Sequence, residues 1–233
     1  SLRKMRGLSN LWRGTCIFMA TAVRGFSLAL APPILQSTLG AYSAALLESP
    51  LETKVVTAAV LAVAGDAIAQ RASAEPYDRS RAISFVLFDA AYRGGFQHAA
   101  FPWITQHCRG DALQAAAASL PLQSHLVDQS LFSAIECTAF NQLAVVPIIY
   151  YPLFFGITGA VQGLSPAQSV ERARSNFIEL CRRNWLFWIP AQFAQFEYLP
   201  EEWQVPYTCA MGLVWNVILS GLAGSARVSE QEA

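Results

Sequence analysis

Residues 184–220 read NWLFWIPAQFAQFEYLPEEWQVPYTCAMGLVWNVILS, with four tryptophans, three prolines and three glutamines among long apolar runs. Tryptophan favours positions where an apolar ring meets a wet polar edge, as at a membrane interface. Proline inside an apolar helix breaks its hydrogen bonds, and in lipid the freed carbonyls must be met from within the protein. The stretch therefore predicts a membrane-embedded, kinked helix carrying polar groups, broken into 185–194 and 205–222.

The composition agrees. Of 233 residues, 54% are hydrophobic and only 14% charged, and the mean hydropathy is +0.33. Soluble domains carry about 25% charged residues, so the deficit points to a polytopic membrane protein. Sixteen basic residues balance sixteen acidic ones, which argues against nucleic acid as a partner. Cys16, Cys108, Cys137, Cys181 and Cys209 contain no CxxC pair and read as small buried side chains. His98, His107 and His125 lack the HExxH spacing, and GxGxxG, GxxxxGK[ST] and GxSxG are absent. No metal, cofactor or catalytic residue is expected, and the chain is not expected to be an enzyme.

Residues 1–47 carry Arg3, Lys4, Arg6, Arg13 and Arg24, with no acid before Glu48. That is the composition of an organellar transit region or its remnant, or of a basic interfacial helix. With Ser1 rather than Met at its start, the chain is expected to be processed or trimmed. The domain reading is a basic extension over 1–41, a four-span membrane domain over 42–223 and a polar tail over 224–233.

Within that domain, Pro50 sits where a helix starts, and the first span runs to Gln70. A polar loop, 71–81, leads to a second span over 82–104. A connector to His125 follows, with helical potential at 112–120. Residues 126–161 exceed one straight crossing of about 20 residues, so Pro147 and Pro152 are expected to kink it or end its membrane part. Ser165-Pro166-Ala167-Gln168 has the form of a capping box. The helix after it places Val170, Ala173, Phe177 and Leu180 on one stripe, with Arg172, Arg174, Arg182 and Arg183 largely off it, as an amphipathic surface helix would. Positive-inside bias puts this basic segment and the loop with Arg71, Arg79 and Arg81 on one side.

Asp66, Asp89, Arg93, Asp128 and Glu136 fall in or beside apolar segments. A charge at mid-span costs about 2.5–3.5 kcal/mol on insertion scales, so these groups should face the bundle interior. Asp89 and Arg93 stand at i,i+4 and can pair. The candidate network is Asp66, Gln70, Asp89, Arg93, His98, Asp128, Gln129 and Gln192, with Gln97 and Gln195 as further donors and acceptors. Two roles are open to it: a satisfied polar core that fixes helix packing, or the lining of a hydrated path for small polar solutes.

Several spaced motifs resemble one family. Tyr42-x3-Leu46-x3-Pro50-x2-Thr53 and Gly65-Asp66-x-Ile68-Ala69-Gln70 match its opening signature. Asp78-x2-Arg81, Gly94-x-x-Gln97-His98 and Asp128-Gln129 match its middle. Asn184-Trp185-x2-Trp188-x-Pro190-x-Gln192, Phe196-x3-Pro200 and Trp215-Asn216-x2-Leu219-Ser220 match its close. Over about residues 42–221 the chain is identified as a member of the Mpv-seventeen and twenty-two-kilodalton peroxisomal membrane protein family. The resemblance implies an all-α protein of four transmembrane helices plus an amphipathic surface helix. The expected location is the mitochondrial inner membrane, alternatively a peroxisomal or plastid membrane. It also implies channel-like passage of small solutes or a part in membrane homeostasis, with no established cofactor or catalytic residue.

Four positions depart from the family pattern: Gly95 and Ala134 stand where proline is usual, Gln195 where asparagine is usual, and Gln204 where arginine is usual. These departures also suit a non-catalytic accessory subunit of a larger membrane complex. The expected partners are membrane lipids, other membrane subunits and further copies of the chain.

Overall fold

A computed structural model describes residues 33–71, 76–118 and 129–231. Every regular element among them is helical. Most of the extension expected over 1–41 lies outside the described residues.

Helix α1, Pro33–Glu48, meets α2, Pro50–Arg71, at Ser49. Pro50 has no N–H to continue α1 and instead opens α2, whose Glu52 and Arg71 complement the helix dipole. Asp78 then caps α3, its side chain accepting from the Arg81 N–H at 3.0 Å. Helix α3 runs from Arg79 to Asp89, passes through a π-helical segment, Ala90–Phe96, and resumes over Gln97–His107. A short α4, Asp111–Ala118, is anchored by Glu136, whose carboxylate accepts from the N–H groups of Gly110 and Leu113 at 2.8 and 2.9 Å.

Helix α5 spans Gln129–Val161 and contains a second π-helical segment, Asn141–Tyr150. Pro147 and Pro152 do not end it. Pro147 falls inside the widened π turns, and Pro152 falls where α geometry resumes. Gly163, at φ +78°, turns the chain, and the capping box forms as the spacing predicts, with both Ser165–Gln168 bonds present.

The opening stretch folds differently from the expected kinked span. The amphipathic segment and 185–194 are one continuous helix, α6, Pro166–Tyr198, which carries Pro190 in its interior. The break comes at Leu199, held extended ahead of Pro200 as a residue before proline prefers. Helix α7, Glu201–Gln231, then returns along α6. Tyr207 donates to the Ala191 carbonyl at 3.1 Å, and the Phe187 and Trp215 rings pack 5.0 Å apart. The two halves of the stretch are therefore an antiparallel hairpin. Packing of Phe187, Trp188 and Ala191 against Met211, Val214 and Trp215 offsets the hydrogen bond that Pro190 removes.

Five long helices, α2, α3, α5, α6 and α7, make up the body of the described residues. Of these, Gln129–Val161 is the one long and apolar enough to cross a membrane by length and composition. Helix α2 sits between α3, antiparallel to it, and α7, parallel to it. Gly94 of α3 abuts Val55, and Gly65 of α2 abuts Asn216 and Leu213, leaving no room for a Cβ at Gly94. The Ser80 hydroxyl donates to the Val161 carbonyl at 3.1 Å, so the α2–α3 and α5–α6 turns share one end of the bundle. Arg172 and Arg174 lie towards this end, whereas Arg182 and Arg183 lie further along α6 beside Asn184.

The distribution of polarity is inverted relative to a water-soluble bundle. Helix α2 buries Lys54, Asp66 and Gln70 with small residues, while Val56, Val60 and Val63 face out. Ile148 of α5 is 70% exposed and Ile178 of α6 82%. Charges inside and branched aliphatics outside is the arrangement lipid selects. It also explains why α2 fails a simple apolarity test: its polar residues face inward.

Candidate functional site

The site is built on the π-helical segment of α3. Asp89 ends the preceding α-helical part, and Arg93 lies within the segment. Their side chains pair at 2.5 Å as the i,i+4 spacing predicts, and both are almost completely buried. Three other helices close around this part of α3. The Trp188 ring of α6 lies under it, 5.7 Å from its centroid. Gly212 of α7 leaves the space it occupies, since a Cβ there would overlap it. Val55 of α2 packs against Gly94, the residue after Arg93. Glycine at 94 and 212 thus allows helix backbones to approach a buried cation closely.

A second ion pair lies towards the α2–α3 turn, with Asp66 Oδ1 3.0 Å from Arg81 Nε. The Gln70 amide donates to Asp66 Oδ2 at 2.6 Å and to the Asp78 carbonyl at 3.0 Å, and its oxygen accepts the Asp78 N–H at 2.6 Å. Asp66 and Gln70 therefore secure the end of the bundle as well as facing its interior.

On the other side of Arg93, amides join α5 to α6. Gln192 Oε1 accepts from Asn141 and Gln142 at 2.7 and 2.6 Å, and Asn184 donates to Gln142 Oε1 at 2.8 Å. Asn141 and Gln142 open the π-helical segment of α5, so both widened segments contribute to one buried seam. The Thr208 hydroxyl carries the seam into α7 by donating to Gln195 Oε1 at 2.7 Å.

Two cavities lie along the seam. The larger, about 130 Å³, lies between the ion pairs and is walled by Phe85, Phe88, Tyr150, Tyr151 and Phe154. The smaller, about 20 Å³, is lined by Tyr92, Gln97, Gln142, Gln192 and Thr208. Arg93, Tyr150 and Asn184 line both, so the Asp89–Arg93 pair stands between them. The Tyr92 hydroxyl and the Gln97 side chain lie together beside the smaller cavity.

The structure brings Asp66, Gln70, Asp89, Arg93 and Gln192 into this seam. His98 is elsewhere, its Nδ1 3.2 Å from the buried Lys54 ammonium. Gln129 is exposed at the bundle end, donating to the Arg109 carbonyl at 2.7 Å. Asp128 lies outside the described residues. The sequence reading missed Asn141, Gln142, Tyr92, Tyr150, Tyr151, Gly212 and Lys54. Asn141-Gln142 carried a signal, as adjacent amides inside an apolar run. Among the described residues, no group of three or more His, Cys, Asp or Glu comes together. Cys108, Cys137, Cys181 and Cys209 are free, and Cys137 donates to the Cys108 carbonyl at 3.3 Å.

Comparison with known proteins agrees with this architecture. Residues 159–220, which hold α6 and most of the α6–α7 hairpin, match the model of the Mpv17 / PMP22 family. Protein sym-1 of Neurospora crassa is 27% identical over 78% of this chain and 97% of its own length. Peroxisomal membrane protein 2 of Bos taurus is 22% identical, over 82% and 91%. Mitochondrial inner membrane protein Mpv17 of Danio rerio is 24% identical, over 77% and 93%. No solved structure matches. The names of two of these relatives carry the two compartments that the motifs imply, the mitochondrial inner membrane and the peroxisomal membrane. On the family model over 159–220, the near full-length relatives and an all-helical bundle with a charged interior, the chain is similar to the Mpv17 / PMP22 family of organellar membrane proteins.

Proposed function

We propose that the chain forms a gated path for small solutes through an organelle membrane, the mitochondrial inner membrane before the peroxisomal. One observation carries this reading: a buried polar seam with a cavity on each side of the Asp89–Arg93 pair. A purely structural polar core needs no such space. In this reading the seam is enclosed by α2, α3, α5 and the antiparallel α6–α7 hairpin. Arg93 is the plug, held by Asp89 and Trp188, and its movement joins the two cavities. The role involves no catalysis and no cofactor.

A second reading, a non-catalytic accessory subunit, draws support from α6, where exposed Val170 and Ile178 share a helical half with four arginines. Purification in mild detergent followed by planar-bilayer recording separates the two. The passage reading expects a monomer or small homo-oligomer with a conductance that Asp89→Asn alters. Comigration with a fixed set of other membrane subunits, and an electrically silent protein, would sink it in favour of the accessory role.

A further inference from the structure

Helix α6 carries a surface that the polar seam does not use. Arg174, Ile178, Arg182 and Trp185 follow one another at intervals of four, four and three residues and so form one stripe along the helix. All four are exposed, while Asn184, Phe187 and Ala191 are buried on the other side. Ile178 is 82% exposed, the most of any large hydrophobic side chain among the described residues. An arginine stands one turn to either side of it. Past Arg183 the outward residues turn apolar, with Trp185, Leu186 and Ile189 all exposed.

Neither water nor hydrocarbon suits such a stripe. The aliphatic and indole side chains gain by leaving water, whereas a guanidinium is costly in hydrocarbon. Both needs are met where acyl chains end and phosphates begin, with the arginines reaching outward to oxygen acceptors. A tryptophan between the basic and apolar parts is the order expected at that boundary. Charge sets the sign of the headgroup. This half of α6 has Arg172, Arg174, Arg182 and Arg183 against Glu171 and Glu179. The far end of the bundle has Glu48, Glu52, Asp111, Glu201 and Glu202 against Lys54 and Arg109. Anionic lipid is therefore drawn to α6 and repelled from the far end.

We infer that the Arg174–Ile178–Arg182–Trp185 stripe of α6 binds an anionic phospholipid headgroup. The two guanidinium groups hold phosphate oxygens, which they match in geometry and charge, and Ile178 and Trp185 meet the start of the acyl chains. The stripe serves a solute path and an accessory subunit equally, so it stands apart from the choice between those roles.

Titration of the purified protein in nonionic detergent with phosphatidylglycerol, phosphatidylcholine or inorganic phosphate, read as the thermal unfolding midpoint, tests it. Phosphatidylglycerol should raise the midpoint, as a ligand of the folded state does, and the other two should leave it in place. This comparison on the parent protein decides the headgroup charge without any variant. Arg174→Gln combined with Arg182→Gln should need about thirtyfold more phosphatidylglycerol for the same rise. Arg109→Gln, at the acidic end, should match the parent. Phosphatidylcholine as effective as phosphatidylglycerol would overturn the headgroup assignment, and inorganic phosphate as effective would replace the lipid with a free anion. An Arg109→Gln loss as large as that of the double variant would make net charge, not the stripe, the cause. No rise with any lipid would overturn the inference, and a subunit that comigrates on native gels with the parent but not the double variant would assign the stripe to a protein partner.

Discussion

Asp89–Arg93 and Asp66–Arg81 are both carboxylate–guanidinium contacts, at 2.5 and 3.0 Å, yet their surroundings differ. Arg93 is enclosed by α2, α6 and α7, with an indole beneath it and a glycine beside it. The Arg81 side chain is 42% exposed at the end of the bundle, and Asp66 has a second partner in Gln70. The first pair is thus a buried charge with no alternative to its partner. The second is a rim contact backed by an amide. Equal chemistry in unequal environments should give very different responses to substitution.

The largest response is expected from Arg93→Met. It leaves Asp89 buried without its cation, and breaking a buried pair in this way costs about 3–5 kcal/mol. The double replacement Asp89→Leu with Arg93→Met removes both charges and should recover most of that loss, since apolar replacements of buried pairs are often neutral. Thermal unfolding in detergent measures both. A double variant as unstable as the single one would show that the pair is not the unit that matters.

A smaller response is expected from Gln192→Leu. Gln192 Oε1 is the shared acceptor for Asn141 and Gln142, so the change leaves two buried amide donors unmet. The penalty should be about 1–3 kcal/mol, below that of Arg93→Met because no net charge is stranded. A cost equal to that of Arg93→Met would mean that the amide seam, rather than the ion pair, holds the α5–α6 interface.

Much of this contrast is present in the sequence, and the missing part has physical causes. Asp89 and Arg93 could be paired from their spacing because i,i+4 contacts are local. The Ser165 capping box is local too. Pro190 and Pro200 look equivalent in the chain, but whether each breaks a helix depends on packing around it: Trp188 packs against α7, whereas Leu199 is left extended in the turn. The π-helical segments were illegible for a related reason. An extra residue per turn is stabilised by distant contacts, such as Gly94 against Val55, which no window of sequence contains. Gln129 and Gln192 also look alike in apolar surroundings, yet one faces solvent at a helix start and the other faces α5. Only the order in which the helices pack separates them.

The smallest response is the most discriminating. Arg81→Ala should cost about 1 kcal/mol, the upper end for exposed ion pairs, because the Asp66 carboxylate is buried but keeps the Gln70 amide. The two pairs also differ in how salt acts on them. Between 0.01 and 1 M ionic strength the screening length falls from about 30 Å to about 3 Å, and a pair open to water on one side should lose most of its contribution. The stability difference between the parent and Arg81→Ala should therefore shrink as salt rises. The difference for Arg93→Met should stay nearly constant, because mobile ions have little access to a side chain only 7% exposed. Salt-insensitive Arg81→Ala would mean that Arg81 is as enclosed as Arg93. Salt-sensitive Arg93→Met would mean that ions enter the seam between α3, α5, α6 and α7.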